Sequence, residues 1–292
     1  MIEHKIKRSW TDKVFDCFVY IILILLAITT IVPFMQVITI SLSPAELATR
    51  FGLHLIPKAI SWEGYKKVLG YDLIWTSYLN TIIRVVVGTS LNVFLLILGA
   101  YPLSKKYLPN LKLWTILIIV TMYFSGGLVP SYILITKYLN LQNSFWALIL
   151  PTAVSAYNLI VVRNFFTAIP ESLEESARLD GAGDFTVLFR IIVPLSKPVL
   201  ATVSLWCIVG HWNAWFDCLL YIDSQSKYVL QLVLRQLLLE GQTIDTNSTA
   251  EYVNTETMKM ATIVVSTLPV LCIYPFVQKY FVQGVMIGAV KG

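Results

Sequence analysis

Long stretches without a single charge dominate this sequence and restrict it to a membrane-spanning fold. Residues 17–45 and 113–136 contain no Asp, Glu, Lys or Arg, and a helix that crosses the hydrocarbon core of a bilayer needs about 20 apolar residues. Only 13% of the chain is charged, whereas soluble domains carry about 25% charged residues. The sequence therefore predicts an all-α membrane protein.

The pattern of apolar stretches predicts six transmembrane helices with both termini on the same side. The spans are predicted within residues 17–45, 73–104, 113–136 and 138–162, between Lys197 and Asp217, and between Lys259 and Lys279. The side that holds the termini carries more Lys and Arg, which identifies it as the cytoplasm.

Three regions follow from this topology. Residues 1–72 are predicted to hold a cytoplasmic tail, the first span and an external segment. Residues 73–281 form the core membrane domain, and residues 282–292 form a cytoplasmic tail. A polar loop at about residues 220–257 is predicted to lie outside the cell.

The polar stretch from Pro170 to Pro198 predicts two short helices joined at a glycine. Pro170 suits a first helical turn, and Gly181 can end the first helix in the left-handed conformation. Asp184 is expected to cap the second helix. Glu174 and Arg178 are spaced i, i+4 and can pair. This stretch should form a compact projection on the membrane surface, and we refer to residues 170–195 as the cytoplasmic knob.

The spacing within this stretch resembles the cytoplasmic signature of permease subunits of ABC importers. That signature is Glu-Ala-Ala, three residues, Gly, nine residues, Ile, one residue and Leu-Pro. The sequence has Glu175-Ser176-Ala177, then Gly181, Ile191 and Val193-Pro194 at the same intervals. Ser176 and Val193 depart conservatively from the signature, and every interval matches.

The resemblance implies the type I ABC importer permease fold, in which the knob is a coupling helix that docks into an ATPase. The residues expected to couple ATP hydrolysis to transport are Glu174, Glu175, Ser176, Ala177, Asp180, Gly181, Ile191 and Pro194. The chain has no phosphate-binding loop, so it is not expected to be an enzyme, and no catalytic or metal site is predicted.

The same resemblance implies partners and a location. ATP and Mg are expected to bind to two cytoplasmic ATPase subunits rather than to this chain. A second homologous permease subunit and an extracellular solute-binding protein complete the expected importer. The location implied is the cell membrane of a prokaryote, and no nucleic acid is expected as a partner.

Two stretches resemble carbohydrate permeases. The tail GAVKG is similar to the end of maltose-type permeases, and SGGLVPSY in the third span resembles a branch associated with oligosaccharides from polysaccharide breakdown. Gly126 and Gly127 lie in this span and weaken its helix, and interrupted helices often mark a transporter's binding site. A close contact between helices is the alternative interpretation.

The end of the fifth span, GHWNAWFD, supplies the other candidates for the substrate pathway. Trp212 and Trp215 could stack on sugar rings or belong to an interfacial aromatic belt. Asn213 could bind hydroxyl groups or make a structural hydrogen bond. Arg84 and Asp217 are the charges nearest the membrane interior, where charges are costly and often functional. A salt bridge between them is possible.

Three other functions compete with sugar import at this stage. A permease of the same fold for peptides or amino acids would share the knob, but the SGG stretch and the tail argue against it. A membrane enzyme requires clustered acids, His or metal ligands, and the acids of the knob are explained by helix and docking physics. An ion-driven transporter requires buried acids, which the predicted spans nearly lack.

Overall fold

The structure, a computed structural model, describes residues 10–48, 52–239, 256–269 and 271–272. This part of the chain is helical and contains no β-strand. Its α-helices are α1 (Trp10–Ser41), α2 (Ala45–Ala48), α3 (Glu63–Leu69), α4 (Asp72–Leu103), α5 (Leu111–Tyr123), α6 (Leu128–Ile133), α7 (Ala156–Thr167), α8 (Glu171–Leu179), α9 (Asp184–Val187), α10 (Val193–Leu195), α11 (Lys197–Asn213), α12 (Phe216–Tyr221) and α13 (Leu230–Leu239). The predicted all-α class is confirmed.

Shorter helical turns join several of these helices. π-Helical turns at Leu134–Tyr138 and Leu188–Ile192 follow α6 and α9, and 3₁₀ turns occur at Phe145–Leu148, Leu150–Thr152 and Gln225–Lys227. Residues 256–269 are also helical. The predicted C-terminal tail at 282–292 and residues 240–255 of the predicted external loop lie outside the described residues, whereas residues 230–239 of that loop form α13.

One compact unit comprises the chain up to Gly70 together with residues 241–267. Its long helix α1 buries only Thr39, Ile40 and Ser41. The Tyr65 hydroxyl of α3 lies 2.8 Å from the Ser41 hydroxyl and ties this end of α1 to α3. The remaining apolar length of α1 is exposed in the isolated chain, which is the expected state of a helix covered by lipid or by another subunit.

The other compact unit comprises residues 71–240 and 268–292 and contains every residue considered below as a site. Helix α4 is its central element and packs along α7, α11 and α13. The C-terminal half of α4 contributes Leu96 and Ala100 to an apolar core with Val162, Phe166 and Val203. This core holds α4, α7 and α11 together beneath the knob.

The other half of α4 buries a polar stripe instead of an apolar one. Ser77, Thr81, Arg84, Gly88 and Asn92 are all buried, and their spacing of three or four residues places them on one face of the helix. Polar groups are stable inside a membrane domain only when they have partners. Arg84 and Asn92 find partners in breaks of the neighbouring helices, whereas the Ser77 hydroxyl has none among the described residues.

The predicted third and fourth spans are bent rather than straight, and a further bend separates the knob from the fifth span. Only α1 and α4 are single helices long and apolar enough to cross a membrane within the described residues. Three further pairs of segments are long and apolar enough only when joined, and each pair is bent. The bends are 107° (Leu111–Tyr123 with Leu128–Tyr138), 49° (Phe145–Thr152 with Ala156–Thr167) and 81° (Asp184–Leu195 with Lys197–Asn213). The third span is interrupted between α5 and α6, at Gly126 and Gly127, as the sequence predicts.

Candidate functional site

Helix α8 of the knob ends as the sequence predicts, at Gly181. Gly181 has φ = 82°, a conformation that costs glycine nothing and strains other residues. Its amide donates to the carbonyl of Arg178 (3.0 Å), and the Ala182 amide donates to the carbonyl of Ala177 (2.9 Å). This pair of bonds is a Schellman motif, and it fixes the turn from α8 into α9.

The ion pairs of α8 differ from those that its spacing suggested. Glu174 is buried and pairs with Lys105, in the turn after α4, rather than with Arg178. Arg178 instead donates to the Asp184 carboxylate (2.6 Å) and to the Tyr107 hydroxyl (3.1 Å). Partners supplied by the α4–α5 turn thus displace the pair within α8.

The predicted capping role of Asp184 is also wrong. Gly183 precedes the first turn of α9, and no side chain caps it. The Asp184 carboxylate lies in that first turn, where it complements the helix dipole, and it binds Arg178. Its side chain therefore links α9 to Arg178 of α8, on the other side of Gly181, instead of bonding to the backbone of α9.

A third ion pair lies in solvent beside the buried one. Lys106 Nζ lies 2.7 Å from Glu171 Oε1, and both side chains are mostly exposed. The hydrogen bond from Lys106 lowers the pKa of the Glu171 carboxyl below its usual range. Exposed pairs of this kind contribute little to stability, so Lys105 with Glu174 is the pair that fixes α8 to the α4–α5 turn.

The outer surface of the knob is available to a partner protein. Glu175, Ser176, Asp180 and Gly181 are exposed and Ala177 is half-buried. Two large apolar side chains accompany them, since Leu179 is 89% and Phe185 72% exposed. Apolar groups surrounded by charges on a surface between two membrane segments are typical of a protein-docking patch.

The remaining predicted coupling residues lie away from this patch. Ile191 is half-buried in the π-helical turn after α9, and Pro194 is exposed in α10. Both precede the 81° bend into α11. Their position suits the shaping of this bend rather than contact with the surface that carries Glu175.

Gly126 and Gly127 form the break between α5 and α6. Gly127 has φ = 86°, and its carbonyl accepts hydrogen bonds from the Ser131 hydroxyl (2.7 Å) and amide (3.3 Å). Both glycines are exposed, and α5 and α6 have no buried residue. Since exposed backbone of this kind is not tolerated in lipid, the break requires a cavity or a second subunit beside it.

The three candidates at the end of α11 have different environments. Trp212 is only 5% exposed and packs with Leu230, Leu234 and the edge of Tyr78. It is therefore a core residue and not a free platform for a sugar ring. Asn213 is exposed, and Trp215 is half-buried. These two remain as pathway candidates.

Arg84 forms the most buried charged contact of the unit. Its side chain is 1% exposed and forms a salt bridge with Asp217, in which Nη1 lies 3.2 Å from Oδ1. The guanidinium also donates to the carbonyls of Ala214 (3.3 Å) and Leu148 (3.1 Å). Ala214 lies in the break between α11 and α12. Arg84 therefore donates a hydrogen bond to a backbone carbonyl at a point where the helix is interrupted.

Asn92 and His211 make a second contact of this type, which sequence reasoning missed. The Asn92 amide donates to the carbonyls of Thr152 (2.7 Å) and Ala153 (2.8 Å), which lie before α7. Its Oδ1 lies 2.7 Å from His211 Nε2. The available signal was the recurrence of polar or small residues at Thr81, Arg84, Gly88 and Asn92 within an apolar span.

Known proteins are similar to this chain over nearly its full length. The family described as "Binding-protein-dependent transport system inner membrane component" matches residues 6–287. The Bacillus subtilis polygalacturonan/rhamnogalacturonan transport system permease protein YtcP is 40% identical over 286 residues, which cover 96% of this chain and 99% of YtcP. Protein LplC of the same organism is 40% identical and covers 99% of both chains.

A solved structure shares the fold closely. A chain of a bacterial ABC transporter involved in the import of the acidic polysaccharide alginate superposes with a TM-score of 0.86. It is 32% identical, and the match covers 95% of the present chain and 100% of the other.

Proposed function

The chain belongs to the family of binding-protein-dependent transport system inner membrane components, as a permease of ABC importers, and we propose that it moves oligosaccharides that contain acidic sugars. One observation carries the transport role. A short helix with an exposed mixed apolar and acidic surface is fixed by a buried ion pair to the central helix of a membrane domain. This arrangement can transmit the movement of a soluble partner to the spans.

We assign that movement to two cytoplasmic ATPase subunits, which bind ATP and Mg. Their docking patch on this chain is the surface formed by Glu175, Ser176, Leu179, Asp180 and Phe185. Closure of the ATPase pair then displaces the knob, and rigid-body motion of the spans opens the pathway to alternate sides of the membrane.

A second homologous permease subunit is supported by apolar surface that this chain leaves uncovered. Helices α5 and α6 bury none of their side chains, and α1 buries three residues at one end only. An extracellular solute-binding protein delivers the substrate. We place the importer in the plasma membrane of a prokaryote, with both termini and the knob in the cytoplasm and residues 73–281 as the core domain.

The substrate class follows from the relatives and from one cation. YtcP is named for polygalacturonan, and the similar solved importer is described as taking up an acidic polysaccharide. In this chain the Arg235 guanidinium lies over the Trp215 ring, 3.9 Å from its centroid, and Arg235 is exposed. Its neighbour Leu234 packs beside Tyr78 and Val85 of α4.

Arg235 is thus an exposed charge next to an apolar cluster on α4, and contact with lipid is unfavourable for a charge. It has no carboxylate partner among the described residues. A guanidinium held over an aromatic ring suits a sugar that carries a carboxylate, because the positioned guanidinium can bind the acid bidentately. Asn213, exposed two residues before Trp215, is available for hydroxyl groups.

The test is uptake by the complete importer in proteoliposomes supplied with its binding protein and ATP. We expect uptake of a galacturonate trisaccharide and weak uptake of a neutral trisaccharide. Arg235→Gln should slow galacturonate uptake while Arg235→Lys retains part of it, and Asn213→Ala should slow it with assembly intact. Uptake of peptides or amino acids in place of sugars would contradict the proposal.

A further inference from the structure

The turn after α4 contacts α8 through one buried ion pair, while Val187, Leu188 and Ile192 of the knob pack in the apolar core with α4. Lys105 Nζ is paired with Glu174 Oε1, and each side chain is only 10% exposed. The ammonium group also lies 4.5 Å from the centroid of the Tyr101 ring, in the last turns of α4. Arg163 of α7 donates through Nε to the carbonyl of Leu103 (2.8 Å) and fixes the end of α4 next to this pair.

A second ion pair in the same groove provides an internal comparison. The groove has a volume of about 300 Å³ and is lined by Lys105, Lys106, Glu171 and Glu174. Lys106 and Glu171 are 80% and 66% exposed, whereas Lys105 and Glu174 are shielded from water. Coulomb attraction is weakly screened away from water, so the buried pair holds α8 more firmly than the exposed pair does.

Side chains further toward the N-terminus of α4 donate hydrogen bonds to backbone carbonyls where neighbouring helices are interrupted. Arg84 holds the carbonyls of Leu148 and Ala214, and Asn92 holds those of Thr152 and Ala153. At 1.5 Å per residue, Arg84 lies about 30 Å along the helix from the end of α4 at Leu103, two residues before Lys105. A displacement of the cytoplasmic end of α4 therefore reaches the fourth and fifth spans through side chains already bonded to them.

We propose that the Lys105–Glu174 pair is the positioning link that passes movement of the knob to α4, and through α4 to these breaks. The inference rests on the proposed function and deepens it. It assigns Lys105, which lies outside the knob, a role in coupling. It also assigns Glu174 an internal role, distinct from the docking surface that carries Glu175.

The experiment measures ATP hydrolysis and sugar uptake in the same proteoliposomes that contain the complete importer. The variants are Glu174→Gln, the exchange Lys105→Glu with Glu174→Lys, and the control Glu171→Gln in the exposed pair. We expect Glu174→Gln to retain the ATPase subunits and to raise the ATP hydrolysed per sugar at least fivefold. The exchange should recover at least half of the coupling, and Glu171→Gln should match the wild type.

Two results would overturn the proposal. One is an unchanged ratio of ATP to sugar in Glu174→Gln. The other is a proportional loss of uptake, hydrolysis and bound ATPase, which would mean that the pair only shapes the dock. Wild-type vesicles report on the proposed function separately, because their ATP-dependent uptake does not depend on any variant. Failure of uptake in the wild type would remove both proposals, whereas a failure confined to the ratio removes this one alone.

Discussion

Substitution of Gly88 by alanine tests whether the polar stripe of α4 is built as the structure shows. A Cβ at this position would lie 2.5 Å from Nε2, 2.7 Å from Cε1 and 2.9 Å from Cδ2 of His211. Real Cβ atoms essentially never approach other atoms more closely than 3.0 Å. The imidazole must therefore move, and its contact with Asn92 at 2.7 Å is the first to break.

The expected cost is the balance of three terms. Overpacking in a tight interior costs about 1–3 kcal/mol, and loss of a buried hydrogen bond adds about 1 kcal/mol. Alanine is favoured over glycine inside a helix by about 1 kcal/mol, which offsets part of this. The net destabilisation of Gly88→Ala is thus about 1–3 kcal/mol, which corresponds to a decrease in Tm on the order of 5 °C.

The assay is thermal unfolding of the purified importer in detergent, with two comparison variants. Gly210→Ala places a methyl group on α11 where it meets no neighbouring side chain or helix of the described chain within 4 Å, so it should not lower Tm and can raise it slightly through the helix preference of alanine. Adding Gly88→Ala to His211→Ala should cost nothing further, because the imidazole that the methyl group meets is gone. Wild-type stability of Gly88→Ala, or equal additional loss in the His211→Ala background, would refute the reasoning.

Three further predictions concern other parts of the chain. Asp217→Asn leaves the buried Arg84 charge without its carboxylate and should cost about 3 kcal/mol of stability, measured by thermal unfolding with Asp217→Glu as the milder comparison. Gly181→Val should strain the left-handed turn by about 1–2 kcal/mol or more and reduce ATPase co-purification, whereas Gly181→Asn should retain most of it. A cysteine at the exposed Ser226 should react with an impermeant thiol reagent in intact cells that lack the native cysteines, and one at Ser172 should not; the reverse labelling pattern would invert the topology.

Features that depend on neighbouring residues could be predicted from the sequence. The uncharged stretches require a membrane, because no soluble fold can bury them. Gly181 ends α8 and Gly126-Gly127 interrupts the third span, because these effects come from the backbone freedom of glycine itself. The signature around Glu175 identified the family for the same reason, since its intervals are local to one stretch.

Tertiary structure alone decided the partners of the buried polar groups. Glu174 binds a lysine 69 positions away and His211 binds an asparagine 119 away. The salt bridge between Arg84 and Asp217, at a separation of 133, was only one possibility in the sequence, and the structure shows that it forms. Spacing rules reach only three or four residues along a helix, so they suggested Arg178 for Glu174 and gave no partner for His211. The burial of Trp212 could not be predicted from the sequence either, because it depends on how α13 packs against α4. These partners are determined when the helices pack, because each buried charge or amide must then bind a group outside its own segment.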